Sequence, residues 1–131
     1  MRLIITRHGE TQGNVKQVLA DIHDLLTPNG IRQAEKVAHR LKNEKINAIF
    51  SSPIKRAEET ARIIAIGHPK AKFIIVDELK EMELGSYLNK GFHEVDWELM
   101  PKDVENKTSL FLRAEIIVER ALKEYPNGTV L

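Results

Sequence analysis

Arg7 and His8 stand side by side in "LIITRHGET", residues 3–11, directly after a run of apolar and β-prone residues. An imidazole at a strand end can serve as nucleophile, base, metal ligand or packed core residue. The neighbouring guanidinium narrows these uses. Beside a would-be metal ligand it repels the cation. Beside a phosphate its planar fork matches the oxygens. Gly9 lets the backbone approach closely. A neutral imidazole can attack phosphorus and carry the phosphoryl group for a time. A second arginine, Arg56 in "SSPIKRAEETA", falls in the first turn of a helix, where free N–H groups and the macrodipole have the same sign. Two arginines and a helix terminus around one histidine make a phosphate pocket, in which each charge-assisted hydrogen bond contributes about 1.5–3 kcal/mol. Asn14 adds a further donor.

A leaving alkoxide needs a proton. Asp77, Glu78, Glu81 and Glu83 crowd together, and such crowding lets one carboxyl hold its proton near neutral pH. General acid catalysis of this kind supplies about 10²–10⁴-fold. Composition does not choose among the four. The remaining histidines, His23, His39, His68 and His93, share no metal-ligand spacing. His39 sits on the polar side of its helix, and His23 lies near a loop that borders the pocket.

These side chains need strands and helices to hold them. Residues 2–6 read as a short buried strand, and "ETQGNVKQVLA" as a turn with a short helix. Thr27 and Pro28 suit the cap and first position of a helix. Ile31, Ala34, Val37, Ala38 and Leu41 then recur at helical spacing and should face a sheet. "NAIFSS", 47–52, is a second strand, and Pro53 starts another helix with Ala57, Thr60, Ala61 and Ile64 on one side, ending near Gly67. "KFIIV", 72–76, is a third strand. The stretch 77–103 is acidic and irregular. A last helix covers about 107–124, with Leu110, Ala114, Ile117, Val118, Ala121 and Leu122 on one face, and "TVL", 129–131, begins a further strand. Strands alternating with helices favour a mainly parallel sheet covered on both faces, with its chemistry beyond the carboxyl ends of the strands. His8, Ser51 and Ser52 fall there.

The bulk properties agree with one domain of 131 residues. Hydrophobic residues make up 42% and charged residues 30%, with 20 basic against 19 acidic side chains. That balance argues against a nucleic-acid binder with a basic surface. Absence of cysteine excludes disulfides and thiolate metal sites and fits a reducing cytoplasm. No run approaches the roughly 20 apolar residues of a membrane span. A soluble cytoplasmic protein with no membrane partner is the expectation. There is no repeat, low-complexity tract or linker.

"TRHGETQGN", "DLLTPNGIRQA", "IFSSPIKRAEETA" and "DELKEMELG" together resemble the histidine phosphatase superfamily, the phosphoglycerate mutase-like proteins, in order and spacing along essentially the whole chain. The resemblance implies a three-layer α/β/α sandwich around a mainly parallel sheet. It also implies a phosphohistidine intermediate, a small phosphorylated substrate, and no metal or cofactor. Carried over by position, His8 resembles the nucleophile, Arg7 and Arg56 the paired phosphate clamps, and Asn14 a polar phosphate contact; Thr11, and His23 by its nearness to the pocket loop, are expected among the substrate contacts. Glu81, four residues before Gly85, matches the family's Glu-x-x-x-Gly and so resembles the proton donor, with Glu83 as second choice. Phosphomonoester hydrolysis is the leading expectation. Phosphoglycerate mutase-type transfer ranks below it, because mutases generally carry longer insertions after the second arginine than this chain does. A non-catalytic phosphoryl-binding scaffold is a third reading.

Three departures from the family pattern stand out. "GSYLNK", 85–90, replaces a Gly-x-Trp-x-Gly-Lys segment, with Tyr87 for the Trp and Asn89 for the second Gly. Asn tolerates a left-handed backbone well, so the turn should survive. "ENKTS" replaces a Gly-Glu-Ser before the last helix, leaving Thr108 or Ser109 to cap it. The family's second catalytic histidine belongs to a Ser-His-Gly segment on the strand that "GTVL" begins, and the sequence stops at Leu131. The single domain, 1–131, is therefore expected to be incomplete at its C-terminus, lacking a strand and helix region, with activity impaired. Loss of one preorganised donor of this kind costs on the order of 10²–10³ in rate. The strand should be internal, so neighbouring strands would present unpaired edges and an uncovered apolar face. A fragment, a damaged variant, or a partner strand covering the sheet in a homo-oligomer would each account for this. A truncated version of an active enzyme is the favoured reading.

Overall fold

A β-prone segment becomes a strand only where a neighbour offers it hydrogen bonds. In the computed structural model, which describes residues 1–131, four segments meet that condition. They are β1 (Arg2–Leu3), β2 (Ala48–Ser51), β3 (Lys72–Ile75) and β4 (Thr129–Val130). They form one sheet in the order β1-β4-β2-β3, parallel at every pairing. As expected for "GTVL", β4 is internal, between β1 and β2; the expected unpaired edges are corrected, since Thr129–Leu131 hydrogen-bonds to both neighbours.

The pleat sends alternate side chains to opposite faces. Ala48 and Val130 pack with Ala121 on one face, with Phe50 and Tyr125 beside them. Ile49 and Leu131 pack with Ala61 and Ile64 on the other, together with Val37, Ala38 and Leu41. Helices α2 (Pro28–Leu41) and α3 (Lys55–Ala65) supply the second set, and α4 (Lys107–Glu124) covers the first. The result is the three-layer α/β/α arrangement, with the expected apolar stripes of α2 and α3 turned inward. No helix is long and apolar enough to cross a membrane.

Four local expectations are corrected. The segment 2–6 is not buried: Leu3 is 40% and Ile5 84% exposed. Its position explains this, because β1 is the outermost strand and its ladder with β4 covers only Arg2 and Leu3. Pro53 does not start α3. Ser52 Oγ takes the Ile54 N–H at 3.3 Å, Ile54 stays extended, and the helix begins at Lys55. The cap of α4 is Asn106, whose side-chain oxygen accepts from Ser109 N at 2.9 Å, while Thr108 and Ser109 are already helical. Finally, α4 buries only Ile117 and Ala121 and leaves Val118 and Leu122 of its expected inner face substantially exposed.

The irregular stretch is ordered by distant partners rather than by its own periodicity. A short helix, α1 (Gln12–Lys16), follows the histidine loop. The chain leaving it pairs with residues 89–92: Asn89 N donates to Leu19 O at 2.7 Å, Leu19 N to Lys90 O at 2.8 Å, and Phe92 N to Gln17 O at 3.0 Å. Asn89 takes the left-handed conformation, φ 63°, so the turn survives the loss of glycine. Below it, Arg113 of α4 chelates Glu105 with two nitrogens at 2.8 and 2.6 Å and donates to the carbonyls of Glu78 and Lys80. Those contacts hold Glu105 below the usual carboxylate range, chiefly through the Arg113 hydrogen bonds. They also fix the segment that leads into Glu81.

Candidate active site

His8 sits where the extended N-terminal segment leaves the sheet. Its Nδ1 lies 2.7 Å from the carbonyl oxygen of Gly9. A carbonyl only accepts, so Nδ1 carries the proton and Nε2 keeps its lone pair. Nε2 in turn receives the Nε–H of Arg56 at 3.2 Å. Arg56 is only 6% exposed and is held at three further points. Its Nη1 donates to Asp21 O at 2.8 Å, its Nη2 lies 3.9 Å from Glu81 Oε2, and its own carbonyl accepts from Thr60 Oγ1 at 2.8 Å. Thr60 Oγ1 also accepts the Gly9 N–H at 3.1 Å. Histidine loop and arginine helix are thus joined through one buried hydroxyl.

A cleft of about 220 Å³ opens over this pair. Arg7, His8, Thr11, Asn14, Arg56 and Glu81 all line it. Arg7 is exposed and makes no side-chain hydrogen bond or ion pair within the chain, so its guanidinium is free for a ligand. Thr11 and Asn14 form a capping box on α1: Asn14 Oδ1 accepts from Thr11 N and Oγ1 at 3.0 and 3.2 Å. That leaves the Asn14 amide nitrogen free, whereas the Thr11 hydroxyl is already engaged. Of the four crowded carboxylates, only Glu81 lines the cleft; Asp77 pairs with Lys80, and Glu83 is tied through its backbone to Glu105.

His23 does not line the cleft and is exposed. Its loop contributes a backbone group instead, the Asp21 carbonyl that holds Arg56. The helix terminus offers less than expected. The first-turn N–H groups of Lys55, Ala57 and Glu58 already donate to the carbonyls of Ile22 and Ile54, so α3 offers the Arg56 side chain and, of these first-turn amides, only that of Arg56. Two contributors were not singled out as site residues. Thr60 has a signal, its position four residues after Arg56 on the same helical face. Asp21 has none, because every residue carries a carbonyl. A larger apolar cleft of about 360 Å³ also touches His8, among Leu3–Thr6, β2 and α4. His8 is its sole ionisable group, so the charged side chains around His8 line the first cleft and not this one.

Burial pushes the His8 pKa down, and the charges of Arg56 and Arg7 push it further, against the Gly9 carbonyl and Glu81. His8 is therefore neutral at neutral pH and somewhat below the ordinary imidazole value of about 6.5. As pH falls through that value, the unfolded chain takes up the proton before the folded chain does. Stability contributed by a neutral His8 is complete above about 6.5 and declines as pH drops toward the folded pKa. Urea midpoints at about pH 5 and about pH 7.5 should accordingly differ less in His8→Asn than in the wild type. An identical pH dependence in the two proteins would place the proton uptake elsewhere.

The same sequence pattern and geometry recur in known proteins. The profile of the histidine phosphatase superfamily (branch 1) matches residues 3–131. A 2,3-bisphosphoglycerate-dependent phosphoglycerate mutase from Thermoplasma acidophilum is 45% identical over 84 residues, 63% of this chain and 40% of that protein. An adenosylcobalamin/alpha-ribazole phosphatase from Escherichia coli K12 is 34% identical over 107 residues, 81% of this chain and 50% of that protein. The structure of Bacillus stearothermophilus YhfR superposes with a TM-score of 0.89 at 28% identity, covering 98% of this chain and 71% of that one. The chain spans 40–50% of the length of these two curated relatives. It belongs to the histidine phosphatase superfamily, with a phosphoglycerate mutase-like α/β fold.

Proposed function

We propose that this protein accepts a phosphoryl group on His8 Nε2 and passes it to water, hydrolysing a small phosphomonoester. One observation carries the reading: an unprotonated Nε2 lies 3.2 Å from Arg56 Nε on the floor of a cleft that also holds Arg7, Asn14 and Glu81. The lone pair of Nε2 attacks phosphorus, the phosphorus–oxygen bond to the alcohol breaks, and the departing oxygen takes the proton of Glu81. Water then attacks phosphorus and returns a proton to the Glu81 carboxylate. The phosphorus–nitrogen bond breaks, leaving inorganic phosphate and neutral His8. The arginines stay in place throughout and stabilise the charge on the equatorial oxygens.

The test is covalent. Incubation with an aryl phosphate, a quench in base and peptide mapping should find an acid-labile phosphoryl group on the peptide containing His8. A label elsewhere, or phosphate binding with neither label nor turnover, overturns the reading in favour of a scaffold. Replacing Glu81 by Gln should slow esters with poor leaving groups by about 10²–10³ and aryl esters much less. Equal losses for both substrates would remove Glu81 from the acid role.

Similarity to the Thermoplasma acidophilum phosphoglycerate mutase favours a second reading, transfer between hydroxyls of a phosphoglycerate. With 3-phosphoglycerate and a trace of 2,3-bisphosphoglycerate, phosphate release should outpace isomerisation. The reverse order would put the mutase first.

A further inference from the structure

Glu81 has no regular element of its own. It lies between short helical turns at Asp77–Leu79 and Gly85–Tyr87, on residues that belong to no helix or strand. Its side chain is 54% exposed, and its one hydrogen bond is local: Oε1 accepts the N–H of the next residue, Met82, at 3.2 Å. Arg56 Nη2, 3.9 Å away, is beyond hydrogen-bond reach. A carboxylate held in this way points where its backbone points. Whatever aims it into the cleft must act on the segment that carries it.

One ion pair holds that segment on both sides. Upstream, Arg113 Nη1 donates to the carbonyls of Glu78 and Lys80 at 2.5 and 3.1 Å. Downstream, Glu105 Oε2 accepts the Glu83 N–H at 3.3 Å, and the Glu105 N–H donates to the Glu83 carbonyl at 2.8 Å. Arg113 and Glu105 close the bracket through two hydrogen bonds of their own, Nε to Oε1 at 2.8 Å and Nη2 to Oε2 at 2.6 Å. Only Glu81 and Met82 stand between the fixed points at Lys80 and Glu83. The bracket also has a firm base. Arg113, Ile117 and Ala121 follow at four-residue spacing, so the buried stripe of α4 runs directly into the arginine. The Glu105 and Arg113 side chains are themselves largely out of water, and neither lines the cleft.

We propose that Arg113 and Glu105 are positioning residues for the proton donor, and that together they aim Glu81 at the leaving-group oxygen. This rests on the reading of His8 as phosphoryl acceptor and Glu81 as acid. As the bond from Nε2 to phosphorus forms and the bond from phosphorus to oxygen breaks, the Glu81 proton passes to the departing oxygen. A small misplacement of such a group, about 1 Å, costs up to about 10² in rate. A loosened bracket therefore costs most where the leaving group most needs the proton, and nothing where Glu81 has no proton to give. A general role in stability has neither signature.

Arg113→Ala alone leaves the Glu105 charge unpartnered in a largely dry site, which is strongly destabilising. Arg113→Met with Glu105→Leu removes both charges and keeps apolar bulk in their place. Rates of His8 phosphorylation from 4-nitrophenyl phosphate and from butyl phosphate would be measured for the wild type, this double variant, Glu81→Gln and the combination of all three, with phosphate Kd by calorimetry. The double variant is expected to label from butyl phosphate about 10–10² more slowly, from the nitrophenyl ester within about threefold of the wild type, and to bind phosphate equally well. On the Glu81→Gln background the same two substitutions should change the butyl phosphate rate by less than about twofold. Glu105→Gln, which keeps the shape and removes only the charge, should show the same pattern at smaller magnitude and serves if the double variant does not fold. Equal losses from both esters, a loss that persists without the Glu81 carboxyl, or no loss from butyl phosphate overturns the positioning role, while labelling of His8 leaves the phosphoryl reading standing. A wild type that takes no label at His8 removes both.

Discussion

Arg56→Ala should weaken inorganic phosphate binding by about 10²–10³ and slow phosphorylation of His8 by a similar factor. A guanidinium that grips a phosphate contributes charge-assisted hydrogen bonds of about 1.5–3 kcal/mol each, and two of them account for that range. Arg56 is suited to the task because its orientation is already fixed. The Asp21 carbonyl holds Nη1, His8 accepts from Nε, and nine-tenths of the residue is out of water. Lysine should not rescue the variant, since one ammonium cannot reach the Asp21 carbonyl, the His8 ring and a phosphate together. Arg7 is the comparison. Exposed and unpaired within the chain, it has less preorganisation to lose, and Arg7→Ala should cost about tenfold in binding with no change in urea midpoint. Calorimetry on both variants, checked for folding by circular dichroism, decides the matter. If Arg56→Ala bound phosphate as tightly as the wild type, the phosphoryl end of the cleft would lie elsewhere.

Much of this arrangement is legible in the sequence, because short-range physics determines it. The alternation of Ala48, Ile49 and Phe50 across β2 matches a strand buried on both sides. The spacing of Ala34, Val37, Ala38 and Leu41 matches a helix laid on a sheet, and Thr27 with Pro28 marks where it starts. Once β1 and α3 are placed, His8 and Arg56 must meet at the carboxyl end of the sheet, since a parallel sheet puts all its strand ends on one side.

What the sequence hides depends on contacts between distant residues. No local pattern tells that β1 is an outer strand, so the exposure of Leu3 and Ile5 was not foreseeable from their hydrophobicity. The stretch 77–103 has no period to read. It is ordered by Arg113 and Glu105, by Asp103 beneath Ser86, and by its pairing with residues 17–19. Composition could not choose among Asp77, Glu78, Glu81 and Glu83 for this reason. The motif resemblance singled out Glu81, and the fold brings that carboxylate to 3.9 Å from Arg56. The apolar part of the cleft lining has no local signal, because Leu19, Leu84 and Trp97 are ordinary residues until two loops are laid side by side.

Gly30→Ala should destabilise the chain by about 3 kcal/mol, the opposite of what helix propensity predicts. On an exposed helix, alanine is better than glycine by about 1 kcal/mol. Gly30 lies in the first turn of α2, and a Cβ there would stand 2.1 Å from the carbonyl oxygen of Glu10. A Cβ on Gly9 would stand 2.3 Å from the carbonyl oxygen of Gly30. Both obstacles are backbone atoms, so no rotamer change relieves them. The loop cannot simply retreat either. Glu10 O accepts from Thr27 N at 2.8 Å, Glu10 Oε1 accepts from Thr27 Oγ1 at 2.7 Å, and Glu10 N donates to Gln33 at 2.8 Å. Pushing it aside breaks those bonds and draws Gly9 N away from Thr60, the hydroxyl through which His8 is registered against Arg56. Gly30→Ala should therefore lose phosphate affinity even under conditions where it remains folded. Gly67→Ala supplies the control. A Cβ there meets nothing nearer than Ile64 O at 3.7 Å, and the change should be neutral or slightly stabilising. Urea melts of the two variants distinguish close backbone approach from generic glycine entropy. Similar midpoints for both would mean that the histidine loop is not seated on α2, and that the position of His8 is determined by something other than this contact.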